Sequence, residues 1–391
     1  MTSDRADDGT LAPQRALFEI PDDVTYLNCA SMSPQLRTVT AAGIDAVRQK
    51  ASPWTLRASD WFTHAEPLRA LFARIVHADA ESVALVPSAS YGLATAAANL
   101  PVRPGQSIIV LDREFPSNVY TWHELARRTG ASVRTVVCEP GGSWTDAIIA
   151  ALDGDVAIVA TPNCHWTDGA LIDLERVGAA ARAAGAALVV DASQAAGAHP
   201  IDVRVSQPDF LVAVGYKWLM GPYSLGYLYV APKWRERGTP LEQTWMSRAG
   251  AEDFARLVDY SDEYRDGARR FDMGEFSQFT LLPMATAALT QVLDWGVERI
   301  ARSVGTLTTR IASEAEALGC TVPPEAQRVR HMLGLKRPGG LPAGLADRLA
   351  SARVYVSVRG DSIRVSPYLY NDARDVGRFV AVLRTELATS D

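Results

Sequence analysis

The chain has 391 residues, of which 48% are hydrophobic and 21% charged, with a formal net charge of −6. That length predicts two unequal domains, the composition excludes disordered and fibrous classes, and the acidic balance without a long Lys/Arg run argues against a nucleic-acid partner. No apolar run of about 18 residues suggests a membrane span, and the polar start MTSDRADDGTLAPQRALFEI lacks the form of a secretory signal, so a cytoplasmic protein is expected. After an N-terminal arm over 1–25, short β-branched runs alternate with Ala-rich helical stretches, which predicts βαβ units. The strands are expected at SVALV (82–86), SIIVLD (107–112), SVRTVV (132–137), VAIVA (156–160), ALVVD (187–191), DFLVAV (209–214) and LGYLYV (225–230). Helices over 117–129 and 174–184, the second with Asp173 as N-cap, supply crossovers between parallel strands. Together these give an α/β fold: a large domain over 26–280 with a mostly parallel seven-stranded sheet. One long helix is predicted over 283–317, opened by Pro283 and read as a bridge. Strand-like pieces near 332–335, 353–358 and 362–366 and an amphipathic helix over 372–387 complete a small α+β domain, so that 281–391 is bridge plus C-terminal domain.

The chemistry concentrates in the middle of the chain. In LVVDASQAAGAHPIDV (188–203), Asp191 ends an apolar strand, and the carboxyl edge of an open α/β sheet is where ligands bind. In FLVAVGYKWLMGPYSLGYLYV (210–230), Lys217 follows another apolar strand and brings an opposite charge to the same edge. A lysine that forms an imine with a carbonyl must react as the neutral amine, which burial among Val214, Trp218 and Leu219 would promote. An acid such as Asp191 would keep a pyridine nitrogen protonated, so the pair suits pyridoxal 5'-phosphate (PLP) as cofactor. The four cysteines, Cys29, Cys138, Cys164 and Cys320, form no C-x-x-C pair; they read as reduced thiols, with no metal site expected. No G-x-x-x-x-G-K-[ST] or G-x-G-x-x-G nucleotide motif is present.

The segments D-A-S-Q-A-A-G-A-H-P-I-D and G-Y-K-W-L-M-G-P resemble the class V aminotransferase family of fold-type I PLP-dependent enzymes. That family includes cysteine desulfurases, kynureninases, isopenicillin N epimerase-like proteins and carbon–sulfur lyases, and the resemblance spans roughly 24 to 387. It implies that Lys217 is the Schiff-base lysine, Asp191 the partner of the pyridine nitrogen, and Gln194 a donor to the phenolic oxygen. In ALVPSASYGLATAAANL (84–100), Ser90 with the backbone of Ala89, Tyr91 and Gly92 would cradle the phosphate at a helix N-terminus. Phe115, in EFPSNVY, would stack on the ring, and Asn163, ahead of His165 and Trp166, would contact the phenolic oxygen. Tyr216 would reach the phosphate, and Arg364, in IRVSPYLYN, would fork a substrate carboxylate, with Arg359 as a second candidate.

Two departures from the family pattern narrow the chemistry. The stretch 349–371 holds no cysteine, so persulfide transfer from that place is not expected. Gly274 and Glu275 stand where the family has Gly-Thr in a segment reaching a partner subunit's phosphate. The resemblance implies a homodimeric enzyme that takes a small amino-acid substrate through an external aldimine and an α-carbanion. Transamination and Cβ–S lyase chemistry on a cysteine conjugate come first. An epimerase, or a non-catalytic binding protein on the same fold, is the alternative.

Overall fold

The structure, a computed structural model, describes residues 9–388; residues 1–8 of the expected N-terminal arm and residues 389–391 lie outside the described residues. The first elements are β1 (Thr25–Tyr26), α1 (Arg37–Lys50), α2 (Ala65–Ile75), β2 (Val83–Val86) and α3 (Ala89–Asn99). They are followed by β3 (Ser107–Leu111), α4 (Ser117–Thr129), β4 (Ser132–Val136), α5 (Trp144–Ala150), β5 (Val156–Pro162), α6 (Leu174–Ala184) and β6 (Ala187–Asp191). Asp173 caps α6 by accepting from the N–H groups of Glu175 and Arg176, and Gly185 ends it in the left-handed region. Strands β7 (Phe210–Val214) and β8 (Gly226–Val230) close the large sheet.

That sheet has the order β2-β8-β7-β6-β5-β3-β4. Strands β3 to β7 pair in parallel, while β8 is antiparallel to both neighbours. The mostly parallel sheet of the sequence reading is therefore present, with one reversed strand. Period-two alternation divides the side chains: Leu188, Val190, Leu211 and Ala213 enter one core, and Val189, Phe210, Val212 and Val214 the other. Residues of α1, α2 and α6 pack on the first face, and residues of α3 and α4 on the second. Gly92 lets α3 lie against β7, since a Cβ there would come within 2.7 Å of Val212 Cγ2.

The predicted bridge is two helices, α7 (Leu281–Trp295) and α8 (Val297–Glu316). Gly296 breaks them with φ 80° and ψ 128°, a conformation open to glycine and strained for other residues. Pro283 falls in the first turn of α7, where its missing N–H has no helical acceptor to lose. Beyond lie β9 (Leu333–Lys336), β10 (Val354–Tyr355), β11 (Ser357–Arg359), β12 (Ser362–Val365) and α9 (Ala373–Ala388). The single strand expected at 353–358 is thus split. Its first half pairs with β1 and its second with β12, which also pairs with β9. Through β1 and the Asn28–Ser366 bridge, residues near 25–30 join the C-terminal strands. Among the described residues, no helix is long and apolar enough to cross a membrane.

A buried ion pair ties the sheet edge together. Arg69 on α2 donates to both carboxylate oxygens of Asp272, at 2.8 and 2.5 Å, and to the Val83 carbonyl; Asp272 also accepts from Leu85 N–H. Removing Asp272 leaves the buried Arg69 guanidinium with only the partly exposed Glu66, 3.3 Å from its Nε, and the Val83 carbonyl to offset its charge. Asp272→Ala should therefore cost about 3–5 kcal/mol, read from the denaturant midpoint; a loss below about 1 kcal/mol, the range of exposed pairs, would contradict this account.

Candidate functional site

Because the strands other than β8 run the same way, their carboxyl ends share one edge, and the reversed β8 begins there. A cavity of about 300 Å³ opens on that edge. Its wall takes residues that follow β2 (Ser88, Ala89, Ser90), β3 (Glu114, Phe115) and β5 (Trp166), the end of β6 and the turn after it (Asp191, Ser193, Gln194), and the segment after β7 (Tyr216, Lys217). Tyr223 and Ser224, just before β8, complete it.

Lys217 is buried, and its pKa falls from 10.5 to about 8. Loss of hydration on burial is the main cause, Asp191 pulls the other way, and Arg364 adds to the fall. The lysine sits on a closed loop: Gly215 N–H donates to the Leu225 carbonyl at 2.8 Å, Gly221 N–H to the Gly215 carbonyl, and Met220 N–H to the lysine's own carbonyl. The Lys217 Nζ lies 5.5 Å from the centre of the Phe115 ring and 5.8 Å from that of Tyr216. One oxygen of Asp191 accepts from Ser193 N–H at 2.9 Å.

At one end of the cavity α3 begins. Ser88 is its N-cap, accepting from Tyr91 N–H at 3.2 Å, and its hydroxyl lies 2.9 Å from that of Ser90. Ala89 and Ser90 line the cavity where the first N–H groups of a helix have no helical acceptor. Tyr91 was expected to offer its N–H there, but that donor is bonded to Ser88, and Tyr91 is not part of the cavity wall. Its phenol is raised in pKa by burial and by the charges of Glu242 and Asp272.

Asn163 is a second correction. It follows Pro162, which faces the cavity, so the alternation along β5 turns Asn163 to the opposite side. There it lines a separate cleft with Ile172 and Pro200, its Oδ1 buried without a hydrogen bond. Trp166 takes a place on the cavity wall instead, its indole N–H bonded to the Arg113 carbonyl. His165 turns away, stacked on Trp144 with ring centres 5.1 Å apart and hydrogen-bonded to Thr167 and the Asp112 carbonyl.

Gln194 is held firmly. Its Nε2 donates to the Ala30 carbonyl, its Oε1 accepts from the Trp218 indole, and its main-chain carbonyl accepts from His331 at 2.7 Å. Burial lowers the His331 pKa to about 3, so the ring is a neutral clamp; no sequence signal pointed to it. One amide hydrogen of Gln194 remains for the cavity. Arg364 on β12 is buried, donates to the Trp166 carbonyl at 3.0 Å, and has an unpartnered Nε. Its pKa drops to about 10 through burial and the neighbouring Arg359. Glu275 is exposed and outside the cavity wall. Glu114, missed by the sequence reading, is a buried carboxyl in that wall.

The family described as aminotransferase class-V matches residues 26–379. A kynureninase from Deinococcus radiodurans is 30% identical over 295 residues, covering 73% of this chain and 68% of that relative. The apo structure of a cysteine desulfurase from Thermococcus onnurineus NA1 superposes with a TM-score of 0.83 at 20% identity, over 97% of this chain and 99% of that one. A C-DES variant with glycine covalently linked to its PLP cofactor gives a TM-score of 0.85 at 18% identity, over 95% and 99% of the two chains.

Reductive alkylation of Lys217 by a small aldehyde in ligand-free protein should follow the neutral amine, rising with a midpoint near the lowered value of about 8. A midpoint near 10.5, the ordinary lysine value, would show that burial does not act on this amine.

Proposed function

The chain belongs to the class-V aminotransferase family of PLP-dependent enzymes, and on that premise we propose that it acts on the α-carbon of an amino acid at the cavity holding Lys217 and Asp191. The observation that carries this reading is the buried lysine, lowered to about 8, in the same cavity as a carboxylate. The residues present fit the cofactor. Ser88, Ser90 and the start of α3 would hold the phosphate, Asp191 the ring nitrogen, Phe115 a ring face, and the spare amide hydrogen of Gln194 the phenolic oxygen. Tyr216, half-buried at the cavity wall, would add its hydroxyl at the phosphate. When bound, PLP supplies an electron-withdrawing ring that stabilises negative charge at the α-carbon of the amino acid attached to it.

The chain's own groups then have distinct tasks. Lys217 would hold the cofactor's carbonyl carbon and, once displaced by substrate, accept the α-proton as a neutral amine. Arg364 would clamp the α-carboxylate: its unpartnered Nε and its guanidinium plane offer the two parallel donors a carboxylate accepts. The aromatic wall of Phe115, Trp166 and Tyr216 would exclude water from the reacting atoms.

We propose transamination, or cleavage of the Cβ–S bond of a cysteine conjugate, as the reaction. Sulfur transfer through a protein thiolate is disfavoured. Cys29 and Cys164 are buried, with pKa values pushed up mainly by lost hydration, while Cys138 faces a different cleft. A homodimer is also proposed, supported by apolar side chains left exposed, among them Trp54, Tyr223, Val258 and Tyr260.

Purified protein should show a visible absorption band of lysine-bound cofactor that Lys217→Ala lacks, and the amino acids and cysteine conjugates that shift it should mark the substrate class. If neither protein binds PLP, the reading fails. Arg364→Lys should raise KM for an amino-acid substrate by roughly 10- to 100-fold, the loss of one charge-assisted hydrogen bond; an unchanged KM would remove Arg364 from the carboxylate site.

A further inference from the structure

The sheet of β9, β12 and β11 has two chemically different faces. Leu333, Leu335, Ile363 and Val365 enter the core formed with α8 and α9. The period of two therefore puts Gly334, Ser357, Arg359, Ser362 and Arg364 on the other face. That face lies directly against the loop after β5, since a Cβ on Gly334 would come within 2.5 Å of the Asp168 Cβ. Arg359 stands opposite Ser362, and Arg364 opposite Ser357, so the two arginines are diagonal neighbours. Both reach Trp166, a residue of the cavity wall. Arg364 donates to its carbonyl at 3.0 Å, and the Arg359 guanidinium stands 5.9 Å from the centre of its ring.

Among the described residues, neither arginine pairs with a carboxylate. Arg359 donates to the Val358 carbonyl beside it, and the buried Nε of Arg364 has no partner. The acid closest to Arg359 in sequence, Asp361, is engaged by Arg113 at 3.4 Å and by Lys336 at 3.6 Å. Two guanidinia on one face without a counter-charge repel each other. In agreement, the charge of Arg359 adds to burial in lowering the Arg364 pKa, and it bears on Lys217 as well.

We propose that Arg359 and Arg364 together bind an amino acid with a second carboxylate on its side chain, Arg364 taking the α-carboxylate and Arg359 the distal one. This rests on the function proposed above. There Lys217 works as the neutral amine, Asp191 answers the ring nitrogen and the start of α3 answers the phosphate. The two guanidinia remain, and a single α-carboxylate would match one of them. A second carboxylate matches the other, and the planar fork suits each. Trp166, held through its indole N–H by the Arg113 carbonyl, offers Arg359 a fixed ring face. The substrate class is thus the α-amino dicarboxylates, among them cysteine joined through sulfur to a short carboxylic acid. Transamination and Cβ–S cleavage both leave the distal carboxylate unchanged, so Arg359 determines specificity and takes no part in the bonds that change.

The test begins with cofactor-free protein and two probes of nearly the same shape, glutarate and its monoamide glutaramate, with binding read by calorimetry. Wild type should favour glutarate by roughly 10- to 100-fold, the contribution of one charge-assisted contact. Arg359→Gln should abolish that preference and leave glutaramate binding unchanged. Arg359→Lys, which keeps the charge without the fork, should retain part of it. No preference in wild type, or one that survives Arg359→Gln, overturns the assignment. So does equal weakening of both probes by Arg359→Gln, the outcome for a residue that merely supports Trp166. In cofactor-loaded protein, glutamate should shift the visible band at lower concentration than glutamine, and Arg359→Gln should remove the difference. Failure to bind PLP with the glutarate preference intact sinks the proposed function and leaves the arginines as a dicarboxylate site, whereas PLP binding without the preference sinks the arginine pair alone.

Discussion

Lys217 and Asp191, both buried, make opposed demands on one cavity. The amine is useful when uncharged and the carboxylate when charged, yet the negative charge of the second favours the protonated form of the first. Lost hydration outweighs that attraction, and the lysine ends well below its ordinary value. Most other features of the site follow from keeping this balance. Arg364 adds positive charge that pushes Lys217 further toward the amine. His331, neutral at ordinary pH because it is buried, holds Gln194 without adding a charge of its own.

The fold delivers these groups by putting strand ends side by side. Parallel pairing brings β3, β5, β6 and β7 to one edge, and each contributes side chains at its end or in the short segment that follows. The close seat of α3 against β7 through Gly92 brings the start of α3 to that edge, and the Arg69–Asp272 pair fixes β2, the strand that leads into it. The chain near residue 30 is part of the same apparatus. It pairs with the C-terminal strands and at the same time accepts the amide of Gln194, so both ends of the chain bear on the cavity.

Local rules made the scaffold legible. Apolar alternation, Asp173 as a cap and Gly185 as a stop locate α6 and β6 without tertiary information, and Lys217 and Asp191 stood out because each ends an apolar run. What could not be read was the direction of side chains just beyond strand ends. Asn163 and Trp166 are three residues apart, yet only Trp166 reaches the cavity, because the pleat of β5 carries through Pro162. That alternation was a usable signal. Glu114 carried none beyond its place before Phe115, since its burial depends on α4 and β6 arriving from elsewhere. The predicted single helix over 283–317 failed for a comparable reason. The apolar periodicity continues on both sides of Gly296, and only the backbone there shows that the axis is broken.

The loop that carries Lys217 is cross-linked at its base, where Gly215 and Leu225 meet, and again within itself by Gly221 and Met220. Its backbone is thereby a fixed mount between β7 and β8. Any travel of the amine, whether toward a partner atom or back from one, has to come from rotation about the four bonds of its own stem. The reachable volume is a small arc swept about a stationary Cα. Along that arc the amine shares the cavity with the ring of Phe115 and the carboxylate of Asp191, so the lysine works as a short arm on a fixed pivot.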